Sequence, residues 1–337
     1  MIYIGADISK KTFDVGLKDG TSSQYIGQFQ NDQEGFNALS QSIKSRTSNA
    51  SQVHLILEPT GGYERHLMAY GFSQNWLVSR PNPKIFRDWA KGSGKRAKTD
   101  PQDGIALAEY GFDKKPHTLS PMPAELEALE ELLKRQDELQ KLIRAEKNRY
   151  SRYLNQPRFS ERVQKSLESI LEMLEKELKE IESEIKELTY SSGETKQMIQ
   201  RLLTIPGVGQ RIVFRLYLFL AKWHLMTGGS GSSKALTAMI GLDPEPYQSG
   251  TSIRRRSTIS KKGNHRLREL LFLGALGGVA GRSKTSNPLK AFYQRLVGRG
   301  KAKKLALVAA AHKIIIWAWA VFVNEVDFDP ALAQSKS

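Results

Sequence analysis

Five side chains stand where chemistry on a phosphodiester could be carried out. Asp7 closes the apolar run MIYIGAD, Glu58 closes VHLILE, and Asp100 and Asp103 stand together at the head of the segment DPQDGIALAEY. An acid placed directly after buried apolar residues must be solvated or bind a cation. Two acids three residues apart share a helical face. Carboxylates gathered at strand ends offer hard oxygen ligands to Mg²⁺, and paired ions suit displacement at phosphorus by clamping the attacking and leaving oxygens. The fifth is Ser249, in the proline-rich loop Gly241–Gly250, just before a glycine where backbone can approach a phosphate closely. Simpler roles compete: Asp100-Pro-Gln-Asp103 also reads as a helix cap, and Glu58 before Pro59-Thr-Gly-Gly62 as an acceptor for loop hydrogen bonds. Asp14, in the second strand, reads as structural. No Ser-His-Asp order accompanies Ser249, and His265 lies in a basic run, so a nucleophilic Ser249 would act on phosphorus with activation from metal ions elsewhere.

These residues need elements to hold them. Residues 1–120 alternate strand-like and helix-like segments: strands in MIYIGADI, FDVGL, SSQYIGQFQ, VHLILE and NWLVS, and helices after Asn31, over Tyr63–Tyr70 and over Pro83–Ala90. Consecutive strands followed by βα units predict an α/β domain with a mixed sheet. Residues 121–190 change character. Leu126, Leu129, Leu133, Leu139 and Leu142 mark one helix; Val163, Leu167, Ile170, Leu174, Leu178, Ile181, Ile185 and Leu188 mark another at coiled-coil spacing. Asn155-Gln-Pro157 separates them, which predicts an antiparallel hairpin or dimerising arm. Residues 191–337 read as mainly helical, with loops at Thr227–Ser233 and Pro244–Lys262.

Composition narrows the class. The 337 residues are 39% hydrophobic and 26% charged, which suits a packed core and excludes a disordered or collagen-like chain. The absence of cysteine excludes disulfides, thiolate zinc sites and cysteine nucleophiles. Asp7 sits where a secretory leader would be apolar, so none is expected. Leu305–Val323 is long enough to span a bilayer, yet Lys313 in its middle would cost about 2.5–3.5 kcal/mol there. A buried helix in a soluble, cytoplasmic chain with no membrane partner is expected. The net charge of +16 is unevenly spread: +3 over residues 1–120, −3 over 121–190 and +16 over 191–337, with +14 between Thr251 and Lys304 alone. That concentration points to a nucleic-acid partner. Candidate contacts are Lys95, Arg96 and Lys98; Arg254, Arg255 and Arg256; Lys261, Lys262, His265 and Arg266; and Arg299, Lys301, Lys303 and Lys304. The turn Ile205-Pro-Gly207-Val-Gly209 adds backbone N–H groups of the kind that meet phosphates, a plain glycine turn being the alternative. Tyr247, Tyr293, Trp317 and Trp319 could stack on bases, the last two reading rather as core.

An early-strand Asp, a strand-end Glu and a late Asp-x-x-Asp follow the order of the ribonuclease-H-like, RuvC-type fold. With LILEPTGGYE, KTDPQDGIALAEY, IPGVG, the GL-x-P-x-x-x-x-SG loop, ISKKGNHRLRELLFLGA and NPLKAFYQRLVGRGKAKKLALVAAAHKIII, the chain resembles the DEDD transposases of bacterial insertion sequences over nearly its whole length. The resemblance implies a RuvC-like α/β domain (1–120), a coiled-coil arm (121–190) and a mainly α C-terminal transposase domain (191–337). It implies Mg²⁺ on Asp7, Glu58, Asp100 and Asp103, and Ser249 as the nucleophile joined to DNA. It further implies a bridge RNA as guide, donor and target DNA as substrates, and acids and serine drawn from different protomers of a dimer, or of a tetramer across two DNAs. The alternative is a RuvC-type nuclease that hydrolyses branched DNA with water; a non-enzymatic nucleic-acid scaffold is a third reading. One departure from the family pattern is Thr227-Gly-Gly-Ser-Gly-Ser-Ser233, which is linker-like and bears on the approach to Ala235–Ile240.

Overall fold

Among the described residues, five strands and four α-helices form the first of two compact units, Met1–Pro121 and Met122–Ser337. The computed structural model describes all residues except 48, 95–99, 159, 246–247, 250–252, 255–257, 262, 281–286 and 332–337, and omits the side chains of 100, 245, 248, 249, 253, 254 and 258. In the first unit the strands β1 (Ile2–Ile8), β2 (Thr12–Lys18), β3 (Ser23–Gln30), β4 (Val53–Leu57) and β5 (Leu77–Ser79) lie in the order β3-β2-β1-β4-β5. β1, β2 and β3 pair antiparallel, whereas β4 runs parallel to both β1 and β5.

Alternation along each strand sends side chains to opposite faces. Ile4, Ala6 and Ile8 of β1, Phe13 and Val15 of β2, and Val53, Leu55 and Leu57 of β4 join Phe36, Leu39, Ile43 and Leu67 in one buried cluster. Those last four come from α1 (Gln33–Lys44), which Asp32 caps by accepting from the Gly35 N–H at 2.9 Å, and from α2 (Arg65–Ser73). On the opposite face, Tyr3 and Ile56 pack with Phe86 of α3 (Pro83–Gly92) and with Ala106, Leu107 and Tyr110 of α4 (Asp100–Lys114). Each such large side chain contributes about 1.5–3 kcal/mol of burial. The result is a mixed α/β layer structure, consistent with the RuvC-like architecture.

The second unit opens with two 31-residue helices, α5 (Ala124–Leu154) and α6 (Glu161–Ser191). They pair antiparallel, as the contacts Gln136–Glu182, Lys147–Glu175 and Tyr150–Glu168 show. Leu139, Ile143 and Leu174 fill the seam with Leu171, Leu178 and Ile181. Ile143 occupies the place expected for Leu142, because steps of three and four from Leu133 through Gln136 and Leu139 arrive there; Leu142 is 47% exposed. Val163 and Ile170, expected in the seam, are also exposed.

The base of this hairpin belongs to the next core. Leu126, Leu129, Leu133 and Ile185 pack in one cluster with α7 (Gly193–Leu203), α8 (Gln210–Thr227), α9 (Ser233–Ile240), α10 (His265–Ala280), α11 (Pro288–Gly298) and α12 (Lys303–Asn324). α12 is the one described helix long and apolar enough to cross a membrane, and Ala310, Ala311, Ile314, Ile315, Trp317 and Trp319 bury it in that cluster. The linker-like stretch after α8 is a built turn. Gly228 ends α8 at φ +55°, a Cβ at Gly231 would overlap the Trp223 indole, and Ser232 caps α9 by accepting from the Ala235 N–H.

Candidate functional site

Strand register and parity bring the first-unit acids to one corner. Ala6 of β1 lies opposite Leu57 of β4, so Asp7 and Glu58 come next on neighbouring parallel strands, at the carboxyl end of both. Asp7 shares its face with Tyr3, and Glu58 shares its face with Ile56, which is the face that α4 covers. α4 lies directly on backbone there. A Cβ at Gly5 would overlap the Gly104 carbonyl and the Ala108 nitrogen, and one at Gly16 would overlap Ile105. Further along, Gly111 abuts Ile56 and Tyr3. The helix therefore runs back along β1, and its first turn, with Asp100 and Asp103, starts at the corner where Asp7 and Glu58 end their strands. Asp7, Glu58 and Asp103 are each half-buried. The backbone of Asp100 opens the helix, and its side chain lies outside the described residues.

Glu58 leads into the loop Pro59–Tyr63, and that loop is held by a residue without any telling spacing. Glu64, 3% exposed, accepts from the backbone N–H of Thr60 and of Gly62 and from the Thr60 hydroxyl, and pairs with Arg80 at 3.0 Å. Burial acts to raise the Glu64 carboxyl, but backbone N–H groups of Glu64, Thr60 and Gly62 with the Thr60 hydroxyl outweigh it and hold it below the ordinary value. Asn31 ties this loop to the β1–β2 turn. Its Nδ2 donates to the carbonyls of Ser9 and Tyr63 at 3.1 and 3.2 Å, and its own N–H donates to Lys11. Asp14 sits opposite Asp7 and is buried, with the Tyr25 hydroxyl on one carboxylate oxygen at 2.5 Å and Gln28 on the other at 3.0 Å.

The acids at this corner form an all-oxygen donor set, suited to a hard dication such as Mg²⁺. Among the described side chains no three acids or histidines close on one ion; the carboxylate of Asp100 stands outside that set.

In the second unit, the proline-rich loop is folded into two short ladders. β6 (Pro244–Glu245) pairs with β9 (Thr258–Ile259), and inside it β7 (Gln248–Ser249) pairs with β8 (Ile253–Arg254), Ser249 lying opposite Ile253. Two-residue strands carry no periodic signal, so they escape prediction from the sequence. The ladder is rooted on α9: Gly241 turns at φ +75°, Ser260 N–H donates to the Asp243 carbonyl, and the Ser260 hydroxyl to the Asp243 carboxylate. Ser249 and Arg254 are placed by backbone alone, while Arg255 and Arg256, with Lys95, Arg96, Lys98, Lys262 and Tyr247, lie outside the described residues.

Of the other basic candidates, Lys261, His265, Arg299, Lys301, Lys303 and Lys304 are exposed. Arg266 is engaged: it bonds Asp137, Gln140 and Glu269, tying α10 to α5. In the IPGVG turn, Gly207 is a packing residue. Gly207 stands at φ +91°, and a Cβ on it would lie 2.7 Å from the Gly274 carbonyl of α10. Gly209 caps α8 with open space around it.

Comparison with known proteins agrees with this layout. Residues 4–159 match a family described as transposase, and residues 199–294 match the transposase IS116/IS110/IS902 family. Pilin gene-inverting proteins of Moraxella lacunata and Moraxella bovis are each 31% identical over 336 residues, covering 98% of this chain and 99% of theirs. With both of its units matched in order and relatives aligned end to end, the chain belongs to the IS116/IS110/IS902 family of insertion-sequence transposases, enzymes that rearrange DNA.

Proposed function

We propose that the chain is a recombinase that cuts and exchanges DNA strands through a covalent Ser249–DNA intermediate, with Mg²⁺ on Asp7, Glu58, Asp100 and Asp103 and a structured bridge RNA as guide. The observation that carries this reading is the register of β1 and β4, which sets Asp7 and Glu58 side by side beneath the start of α4. Bound there, Mg²⁺ supplies positive charge for the attacking and leaving oxygens. Asp7 and Glu58 orient it from a rigid sheet, and the Glu64–Arg80 pair keeps the chain after Glu58 from drifting. Ser249 Oγ forms a bond to phosphorus, the bond to the 3′ oxygen breaks, and that oxygen leaves as a 3′-hydroxyl. The 3′-hydroxyl of the partner strand then displaces Oγ, which regains its proton, so no water or ATP is consumed. The relatives' name supports exchange over hydrolysis, since inverting a gene rejoins the same ends in a new order.

Labelled DNA carrying the element's end should form a protein adduct that survives denaturing gels. Ser249→Ala should retain DNA binding and lose the adduct, and an adduct that persists in the variant refutes the serine assignment. Asp7→Asn should lose the adduct too, and should also lose the Mg²⁺-dependent rise in Tm expected of the unaltered chain by mass action. A Ser249→Ala variant that still cuts branched DNA would establish the water-using nuclease instead. Sequencing the RNA that copurifies from cells carrying the native flanking DNA tests the guide, with one structured RNA expected.

A further inference from the structure

Between Leu270 and Asn324 the chain contains no aspartate or glutamate, while nine residues are lysine or arginine. Two of those nine are brought to the same aromatic ring. Arg295 of α11 places its Cζ 5.5 Å from the centroid of Phe292, and Lys313, reaching across from α12, places its Nζ 5.3 Å from it. Phe292 and Lys313 are half-buried, and Arg295 is exposed. Burial, then the positive charge of Arg295, hold the Lys313 ammonium below its ordinary value. His312 beside it is lowered in the same way, by burial and then by Lys313.

Cations gathered on one half-buried ring are ordinarily balanced by a carboxylate. Neither helix has one to give, and no ion pair to Arg295 or Lys313 occurs among the described residues. The ring face of Phe292 offsets part of the charge. A lysine extending its stem over apolar surface to reach water would account for Lys313 alone. Arg295, three residues on from Phe292 in α11, is the ring's neighbour on that helix face, so the reach of Lys313 from α12 brings a second cation to a ring that already carries one. An anion from outside the chain would complete such an arrangement. Arg299, Lys301, Lys303 and Lys304, exposed at the α11–α12 turn, extend the same positive surface.

We propose that Arg295 and Lys313, braced on Phe292, form a seat for a phosphodiester group of a nucleic-acid backbone. The proposal rests on nucleic acid being the substrate, as argued above, and adds a contact that the strand chemistry does not require. Binding is measured without Mg²⁺, so that no strand is cut, to a random-sequence DNA duplex and to a structured RNA, across a range of salt. Arg295→Gln and Lys313→Met should each flatten the log–log salt dependence by roughly 0.9 on duplex DNA or roughly 0.7 on single strands, the loss of one phosphate contact. Lys176→Gln, on the hairpin, removes the same charge elsewhere and should leave the slope in place. Flattening on the duplex alone assigns the seat to DNA, and on the RNA alone to the guide; either supports it. Lys313→Met should leave Tm unchanged or raise it, since it relieves repulsion; a clear fall in Tm would make Lys313 a structural residue and overturn the seat. Bound probes with slopes unaltered by Arg295→Gln and Lys313→Met would also overturn it and leave strand exchange standing. An unaltered chain that binds neither probe would overturn both.

Discussion

Glu64 is the side chain whose loss should be felt furthest from its own atoms. Replacing it by Gln removes the charge that Arg80 pairs with and weakens the cradle around Thr60 and Gly62. A stability loss of about 1–3 kcal/mol is expected from urea unfolding. With Glu58 holding Mg²⁺ as proposed, adduct formation should fall about 10–100-fold. An unchanged adduct rate in a destabilised variant would show that the loop does not position Glu58. His54 makes a separate prediction. It is buried, and its Nε2 lies 2.7 Å from the Ser79 hydroxyl, which itself donates to the carbonyls of Pro116 and His117. Carbonyls only accept, so His54 Nε2 carries the proton and donates it to Ser79. Burial pushes its pKa down to about 4 from 6.5. The unfolded chain therefore binds a proton that the folded chain refuses between those values, and stability should drop by roughly 3 kcal/mol as pH falls through that window. Urea unfolding at several pH values checks this, and His54→Gln should flatten the profile. Asp7 and Glu58 were legible because each follows an apolar run, and Asp103 because it stands three residues from Asp100 at a helix start. Glu64 and Asn31 were not, since their partners are loop amides and carbonyls that only the folded chain brings near.

At the scale of elements, α4 packs side chains of its later turns against Tyr3 and Ile56, while its first turns lie directly on the backbone of β1 and β2. Gly5→Ala or Gly16→Ala must therefore push the helix off the sheet and carry Asp103 with it. Each should cost ~3 kcal/mol or more and abolish the adduct, whereas Gly92→Ala, with open space around it, should do neither. Denaturant unfolding beside the adduct assay separates these outcomes. The five strands were legible as short apolar or β-rich runs, β4 by its wholly buried composition, α1–α3 from helical segments between them, and α4 from its Asp-Pro start. The IPGVG turn, which suggested a phosphate contact from its glycines, has a packing role that the sequence did not suggest. Gly207 is there to let the turn meet α10, a contact across 67 residues of sequence that no local pattern records.

For the molecule as a whole, the sheet unit has two buried clusters whose described members all lie within Met1–Pro121. Met1–Pro121 expressed alone should therefore unfold cooperatively, a prediction that circular dichroism on heating would check; a broad, non-cooperative melt would contradict it. The second unit is organised around its hairpin. Asp137 of α5 accepts from Arg215 of α8 and from Arg266 of α10, each at 3.0 Å, and Arg215 also grips the Leu133 carbonyl and Gln136. From Asp137 to the tip at Leu154 the helix rises about 25 Å. A rod pinned in this way has a fulcrum. Turning or tilting its far end loads the two arginines, and through Arg266 it pulls on the first turn of α10, the helix that follows directly from the Ser249 ladder. Whatever holds the tip of the hairpin thus has mechanical purchase on the segment that carries the serine.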